Sequence, residues 1–195
     1  GVQNEQDTLL QVLQSYDPST TDAQSLVESM RAMDGFNWGY DPQHFAAPEC
    51  SYATDPDGVS RIIEMRAMNQ ALHQIGLRVV LDVVYNHAAS SGLSDNSVLD
   101  KVVPGYYHRL NETSGQIENS TCCENTATEH KMMAKLMNDS LVSFAEHFGF
   151  DGFRFDLMGH IPKQGIMDAR EAVRAVDADT YFYGEGWNFG EVADN

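Results

Sequence analysis

Three times in succession, a segment with helical spacing of apolar residues is followed at once by a short run of β-branched and aromatic residues. The pairs occupy residues 59–75 and 77–85, 129–148 and 150–157, and about 166–176 and 180–185. A chain alternating helix and strand in this way satisfies its strands as a parallel sheet of an α/β protein, with right-handed crossovers. The first helix carries Val59, Ile62, Ile63, Met68, Ala71, Leu72 and Ile75 as apolar positions, with Asp57 placed to cap its start and Gly76 to end it. The run Leu77 to Tyr85 is apolar at nearly every position, which predicts a strand buried on both faces, and Asp82 is its single acid. In the second helix Thr126 and Glu129 have capping-box spacing, and Gly149 stops the helix. Its stripe of Met132, Met133, Leu136, Met137, Leu141, Val142, Ala145 and Phe148 reads as core, the methionines as filler.

The remainder is less regular. Leu9, Leu10, Val12 and Leu13 predict a short helix ended by Asp17-Pro18-Ser19-Thr20, and residues 25–33 another turn or two. The stretch Gly35-Phe36-Asn37-Trp38-Gly39-Tyr40-Asp41-Pro42 suits neither a helix nor an alternating strand. It is either a packed loop burying Phe36 and Trp38 or an aromatic platform for a sugar. Residues 88–125 form a long polar loop after the first strand, functional in itself or a small inserted subdomain.

Charge and cysteine content narrow the partners. With 12 basic and 29 acidic side chains the net charge is −17, which repels nucleic acid phosphates and anionic lipid. No apolar run approaches the roughly 18 residues of a membrane span, and no basic-then-apolar leader opens the sequence. The 195 residues are enough for one domain with a core, expected over 1–195. Cys50, Cys122 and Cys123 have no zinc-site spacing. The adjacent pair leaves two readings open, a disulfide from an oxidising compartment or two free thiols.

The candidate chemistry sits where the strands end. In Gly152-Phe153-Arg154-Phe155-Asp156-Leu157 the phenylalanines and the leucine share one face, while Arg154 and Asp156 share the other. Arg154 and Asp156 alone could be a structural ion pair. Two neighbouring strands add Asp82 with Asn86-His87 and Glu185, and parallel pairing brings all of these to one rim. Two carboxylates facing each other suit glycoside hydrolysis, one attacking the anomeric carbon and the other protonating the leaving oxygen. On this reading Arg154 keeps Asp156 ionised, and Tyr183, Trp187 and Phe189 give Glu185 a less polar setting that raises its pKa.

Asn37-Trp38-Gly39-Tyr40-Asp41-Pro42, Asp82-Val83-Val84-Tyr85-Asn86-His87, Gly152 to His160, and Tyr183-Gly184-Glu185-Gly186-Trp187 together resemble the α-amylase superfamily of glycoside hydrolases. Within it, the sequence is most similar to the bacterial type I pullulanase group. The resemblance implies Asp156 as nucleophile and Glu185 as general acid/base. It implies Arg154 as the residue holding the nucleophile, Tyr40 stacking on the sugar, Asp82 and His87 orienting it, and His160 and Trp187 as further substrate contacts. It implies no cofactor for the chemistry and allows structural calcium at Asn86. The fold it implies is a partial TIM (β/α)8 barrel, about the third to fifth βα units, with residues 88–125 as the insertion after the third strand.

The activity it implies is retaining hydrolysis of α-1,6 links in pullulan and branched α-glucans. The alternatives are an isoamylase, a branching enzyme, an α-1,4 amylase or a non-catalytic barrel relative. The third catalytic acid of the superfamily, an aspartate after a histidine on a later strand, has no match in the sequence. The expectation is therefore a fragment of a larger enzyme, inactive without the rest of the barrel. The resemblance also implies a secreted, periplasmic or cell-surface location.

Overall fold

A computed structural model describes residues 2–30 and 38–194, with side chains from residue 8 onward. The chain divides into two compact units, one up to Trp38 and one from Gly39. The first unit holds α1 (Val2–Ser15) and α2 (Asp22–Met30). Between them the Asp17 carboxylate accepts bonds from the backbone N–H and hydroxyl of Ser19, the turn expected there. Phe36 and Asn37, and the end of the second expected helix, lie outside the described residues, while Trp38 is exposed.

The second unit is mixed α/β. Its helix α3 (Ser60–Gln74) leads to β1 (Val80–Val83), α5 (Lys131–Phe148) to β4 (Gly152–Phe155), and α6 (Lys163–Arg174) to β5 (Tyr181–Gly184). The three strands form one parallel sheet in the order β1-β4-β5. Register pairs Asp82 with Arg154 and Arg154 with Tyr183, so one row of side chains crosses the sheet on the polar face. Between β1 and α5 the chain forms β2 (His87–Ala88), α4 (Leu99–Val102) and β3 (Glu124–Asn125), with β2 and β3 antiparallel. Residues 88–125 are thus pinned at both ends by that ladder.

The core lies between the sheet and helices α5 and α6. Phe153 and Phe155 of the central strand pack with Met137, Leu141, Phe144, Ala169 and Val173. Tyr85 is buried among them and satisfies its hydroxyl on Ser140 at 2.6 Å, which removes the cost of an unpaired buried polar group.

Burial departs from expectation at the sheet's flanks. Leu77 and Val80 are 53% and 41% exposed, so the run ending in β1 is not buried on both faces. Within this chain β1 and β5 flank β4, and only β4 has a strand on each side. Helix α3 likewise buries only Asn69, whose amide donates to the Phe148 carbonyl. Two caps also differ. Asp57 does not cap α3, although Gly76 follows it at φ +82° as a left-handed stop. The Thr126–Glu129 box does not form, because Thr126 donates to the Tyr85 carbonyl and Glu129 binds Arg109.

Candidate active site

The backbone hydrogen-bond ladder continues past the strand ends. Asp156 N–H donates to the Val83 carbonyl and Glu185 N–H to the Phe155 carbonyl, which carries both carboxylates to the same rim. There the Arg154 guanidinium joins three acids. Nη1 lies 2.9 Å from Asp82 Oδ1 and 3.6 Å from Asp156 Oδ1, and Nη2 lies 2.5 Å from Glu185 Oε1. Tyr40 donates its hydroxyl to Asp82 Oδ2 at 2.7 Å, and Arg154 Cζ stands 5.9 Å from its ring centroid.

The two carboxylates are held differently. Asp156 accepts from Asn86 Nδ2 at 3.1 Å, and its side chain is 16% exposed. Burial pushes its pKa up, with Glu185 adding to the rise while Asn86, His87 and Arg154 oppose it. This corrects the expectation that Arg154 dominates. The guanidinium is too far from Asp156 for a hydrogen bond and is committed to Asp82 and Glu185. Glu185 is ion-paired with Arg154 and accepts from the Leu157 backbone N–H at 3.0 Å. Its setting is therefore polar, and Tyr183, Trp187 and Phe189 are too exposed to seal it.

Leu157 has φ +41°, a left-handed conformation uncommon for a branched side chain, and it directly follows the Asp156 carboxylate. That backbone turn aims the Leu157 N–H at Glu185. The Glu185 carbonyl in turn accepts from Gly159 N–H at 2.9 Å. A Cβ at Gly159 would strike the Trp187 carbonyl oxygen, so glycine is what lets these segments meet.

The remaining expected site residues fall into three places. His87 is 2% exposed, and its Nε2 lies 2.7 Å from the Tyr40 carbonyl, so it anchors the loop that presents Tyr40. His160 is fully buried, with Nε2 at 3.1 Å from Ser120 Oγ and its ring against Phe189. It is a packing residue rather than an accessible contact, because the turn Met158–His160 folds it inward. Trp187 is 59% exposed beside the site. Asn86 Oδ1 is buried without a hydrogen-bond partner, an oxygen that calcium could take.

One cluster gave no sequence signal. Arg109, 8% exposed, donates from Nε and Nη2 to Glu129, from Nη1 to Glu191 and from Nη2 to the His160 carbonyl. Glu191 also accepts from Asn125 Nδ2 at 2.7 Å. This ties the 88–125 insertion to the segment after Glu185. Burial alone would raise the Glu191 pKa, but hydrogen bonds from Ser120, Asn125 and Arg109 outweigh it and hold the value at about 2. Cys122 is joined to Cys123 in a disulfide, which closes one of the two readings of the cysteines.

The Glu191 cluster predicts a pH dependence. A carboxyl near 2 when folded and 4.5 otherwise contributes stability that is complete above pH 4.5 and is lost as pH falls toward 2. Burial lowers the pKa of His160 and so removes stability below 6.5 as well, whereas the raised Asp156 acts in the opposite sense. In Glu191→Gln, the urea midpoint is expected to fall less between pH 4.5 and 2 than in the parent. Equal slopes in the two proteins would remove the assignment.

No protein-family model matches the chain. It is 50% identical over 185 residues to a pullulanase of Klebsiella pneumoniae, covering 94% of this chain and 17% of that protein. It is 51% identical over 193 residues to pullulanase 1, chloroplastic, of Arabidopsis thaliana, covering 94% of this chain and 20% of the relative. The crystal structure of Klebsiella pneumoniae pullulanase complexed with maltotriose superposes with a TM-score of 0.85 at 49% identity, over 93% of this chain and 18% of that one. The chain therefore spans about a fifth or less of the length of the relatives it matches. At this identity over nearly every residue, with the strand-end carboxylates in place, the chain belongs to the pullulanase family.

Proposed function

We propose that the chain supplies the nucleophile and the acid/base of a retaining glycoside hydrolase that cuts α-1,6 links in pullulan and branched α-glucans. The observation that carries this is the single Arg154 guanidinium contacting Asp82, Asp156 and Glu185 at the carboxyl ends of adjacent parallel strands. In the first step Asp156 attacks the anomeric carbon while Glu185 gives a proton to the departing oxygen. In the second, Glu185 takes a proton from water as water displaces the sugar from Asp156. Asn86 fixes the attacking carboxylate, and Tyr40, braced by Asp82 and by His87 beneath it, offers its ring to the sugar.

We infer that β1, β4 and β5 are the third to fifth strands of a (β/α)8 barrel, a placement supported by the parallel order and by the carboxylates lying at the strand ends where barrel enzymes carry chemistry. The maltotriose bound by the Klebsiella pneumoniae pullulanase supports an oligosaccharide as the partner. Among the described residues no helix is long and apolar enough to cross a membrane. The Cys122–Cys123 bond supports a secreted, periplasmic or cell-surface location, since such bonds persist in oxidising compartments.

Product analysis tests the activity. The full-length protein incubated with pullulan is expected to release maltotriose as the main product. Panose or isopanose would show cleavage of α-1,4 links, and no hydrolysis would leave an isoamylase-like or non-catalytic role.

A further inference from the structure

We propose that reduction of the Cys122–Cys123 bond creates a site for one thiophilic divalent cation, held by both sulfurs, the His87 imidazole and the Asp41 carboxylate. Binding of the cation is independent of the glycosidase reading, whereas its effect on sugar binding rests on it.

One ligand atom from each of Asp41, His87, Cys122 and Cys123 lies within 4.8 Å of every other, and among the described residues no further group of three or more such side chains converges this way. Cys122 Sγ is 3.5 Å from His87 Nε2, and Cys123 Sγ is 3.8 Å from Asp41 Oδ1. In a tetrahedral zinc site, bond lengths of about 2.0–2.3 Å put neighbouring ligand atoms roughly 3.3–3.8 Å apart. The widest pairs thus close by at most about 1.5 Å, while the two sulfurs, once their bond is broken, move apart to ligand spacing. Its scaffold is already built. His87 belongs to β2, the cysteines immediately precede β3, and His87 pairs with Asn125 across that ladder. Thr121 donates its hydroxyl to Asn125 Oδ1 at 2.6 Å and accepts from the Cys123 N–H, fixing the loop that carries the sulfurs. Two thiolates, an imidazole and one carboxylate suit zinc or cadmium and not calcium or magnesium.

The chemistry balances with a water-soluble phosphine as reductant. The phosphine gives two electrons to the S–S bond and takes oxygen from water as its oxide, and the two protons of that water go to the sulfurs. The cation then binds both sulfurs as thiolates and releases those two protons. Nε2 of His87 now faces the Tyr40 carbonyl at 2.7 Å. Ligation through Nε2 takes this contact away, and the Asp41 carboxylate ties the same loop to the cation instead, so Tyr40 moves from its place beside Asp82 and cation and sugar exclude each other.

Cadmium titration of the phosphine-treated full-length protein tests this, in a Cys50→Ser background and followed by the ultraviolet thiolate-to-cadmium band. The expected result is one equivalent more bound cadmium per chain after reduction than in the same protein with both Cys122→Ser and Cys123→Ser, and no such difference before reduction. Cys122→Ser and Cys123→Ser should weaken binding by roughly 100-fold, and His87→Gln or Asp41→Asn by roughly 10-fold. Asp41→Asn, at an exposed position, reports on the site if His87→Gln loses its fold by circular dichroism. No such difference after reduction, a difference of half an equivalent, or unchanged affinity in the Asp41 variant overturns the site. Maltotriose should raise the cadmium dissociation constant. An unchanged constant overturns the exclusion of sugar alone, because the band reports the metal separately.

Discussion

Asp156→Asn in the full-length protein is expected to lower kcat on pullulan by at least about 10,000-fold, a loss of about 5 kcal/mol of transition-state stabilisation. An amide has the shape of the carboxylate and lacks its nucleophilic charge, so the chemical step fails while the sugar contacts of Tyr40 and Asp82 persist. The change should therefore fall on kcat and leave KM within a few-fold, with an unaltered circular dichroism spectrum. The partly buried Asp156 has one firm donor, Asn86, and the amide can turn its carbonyl oxygen to that donor. Residual activity within about tenfold of the parent would show that another group attacks the sugar.

Replacing Glu185 by Gln should separate the two chemical steps. On pullulan, the loss of proton donation is expected to reduce kcat by about 100- to 10,000-fold. An aryl glycoside with a good leaving group needs no such proton. With it, the first step should remain fast and the glycosyl-enzyme on Asp156 should accumulate, visible as a burst of released phenol. Azide, which needs no general base, should then restore turnover and give a glycosyl azide of the same anomeric configuration as the substrate. An inverted azide, or no burst, would be incompatible with double displacement through Asp156 and Glu185.

These expectations rest on features that the amino-acid order exposes unevenly. The face carrying Arg154 and Asp156 was legible because a strand alternates, and the sheet places Phe153 and Phe155 in the core and Arg154 opposite Asp82. The helix–strand rhythm was legible for the same reason, since periodicity is local. Exposure at Leu77 and Val80 was not, because burial of an apolar run depends on which strands stand beside it. Thr126 and Glu129 misled because the groups that make a cap also make long-range bonds, and here tertiary partners take both. Arg109 left no trace, since its partners Glu129, Glu191 and the His160 carbonyl converge only through folding. The direction of the Asp156 shift was missed on similar grounds. Arg154 is two residues away in sequence, yet its geometry spends the guanidinium on Asp82 and Glu185.

The backbone N–H of Leu157 reaches Glu185 directly, one residue after Asp156. Nucleophile and proton donor are thereby coupled through a single peptide unit and not through the α6 excursion that separates them along the chain. Lengthening or replacing that excursion, for instance in the turn at residues 175–179, would leave the spacing of the reacting groups unchanged. The reaction geometry is in this sense modular, insulated from the length of the connection that builds it.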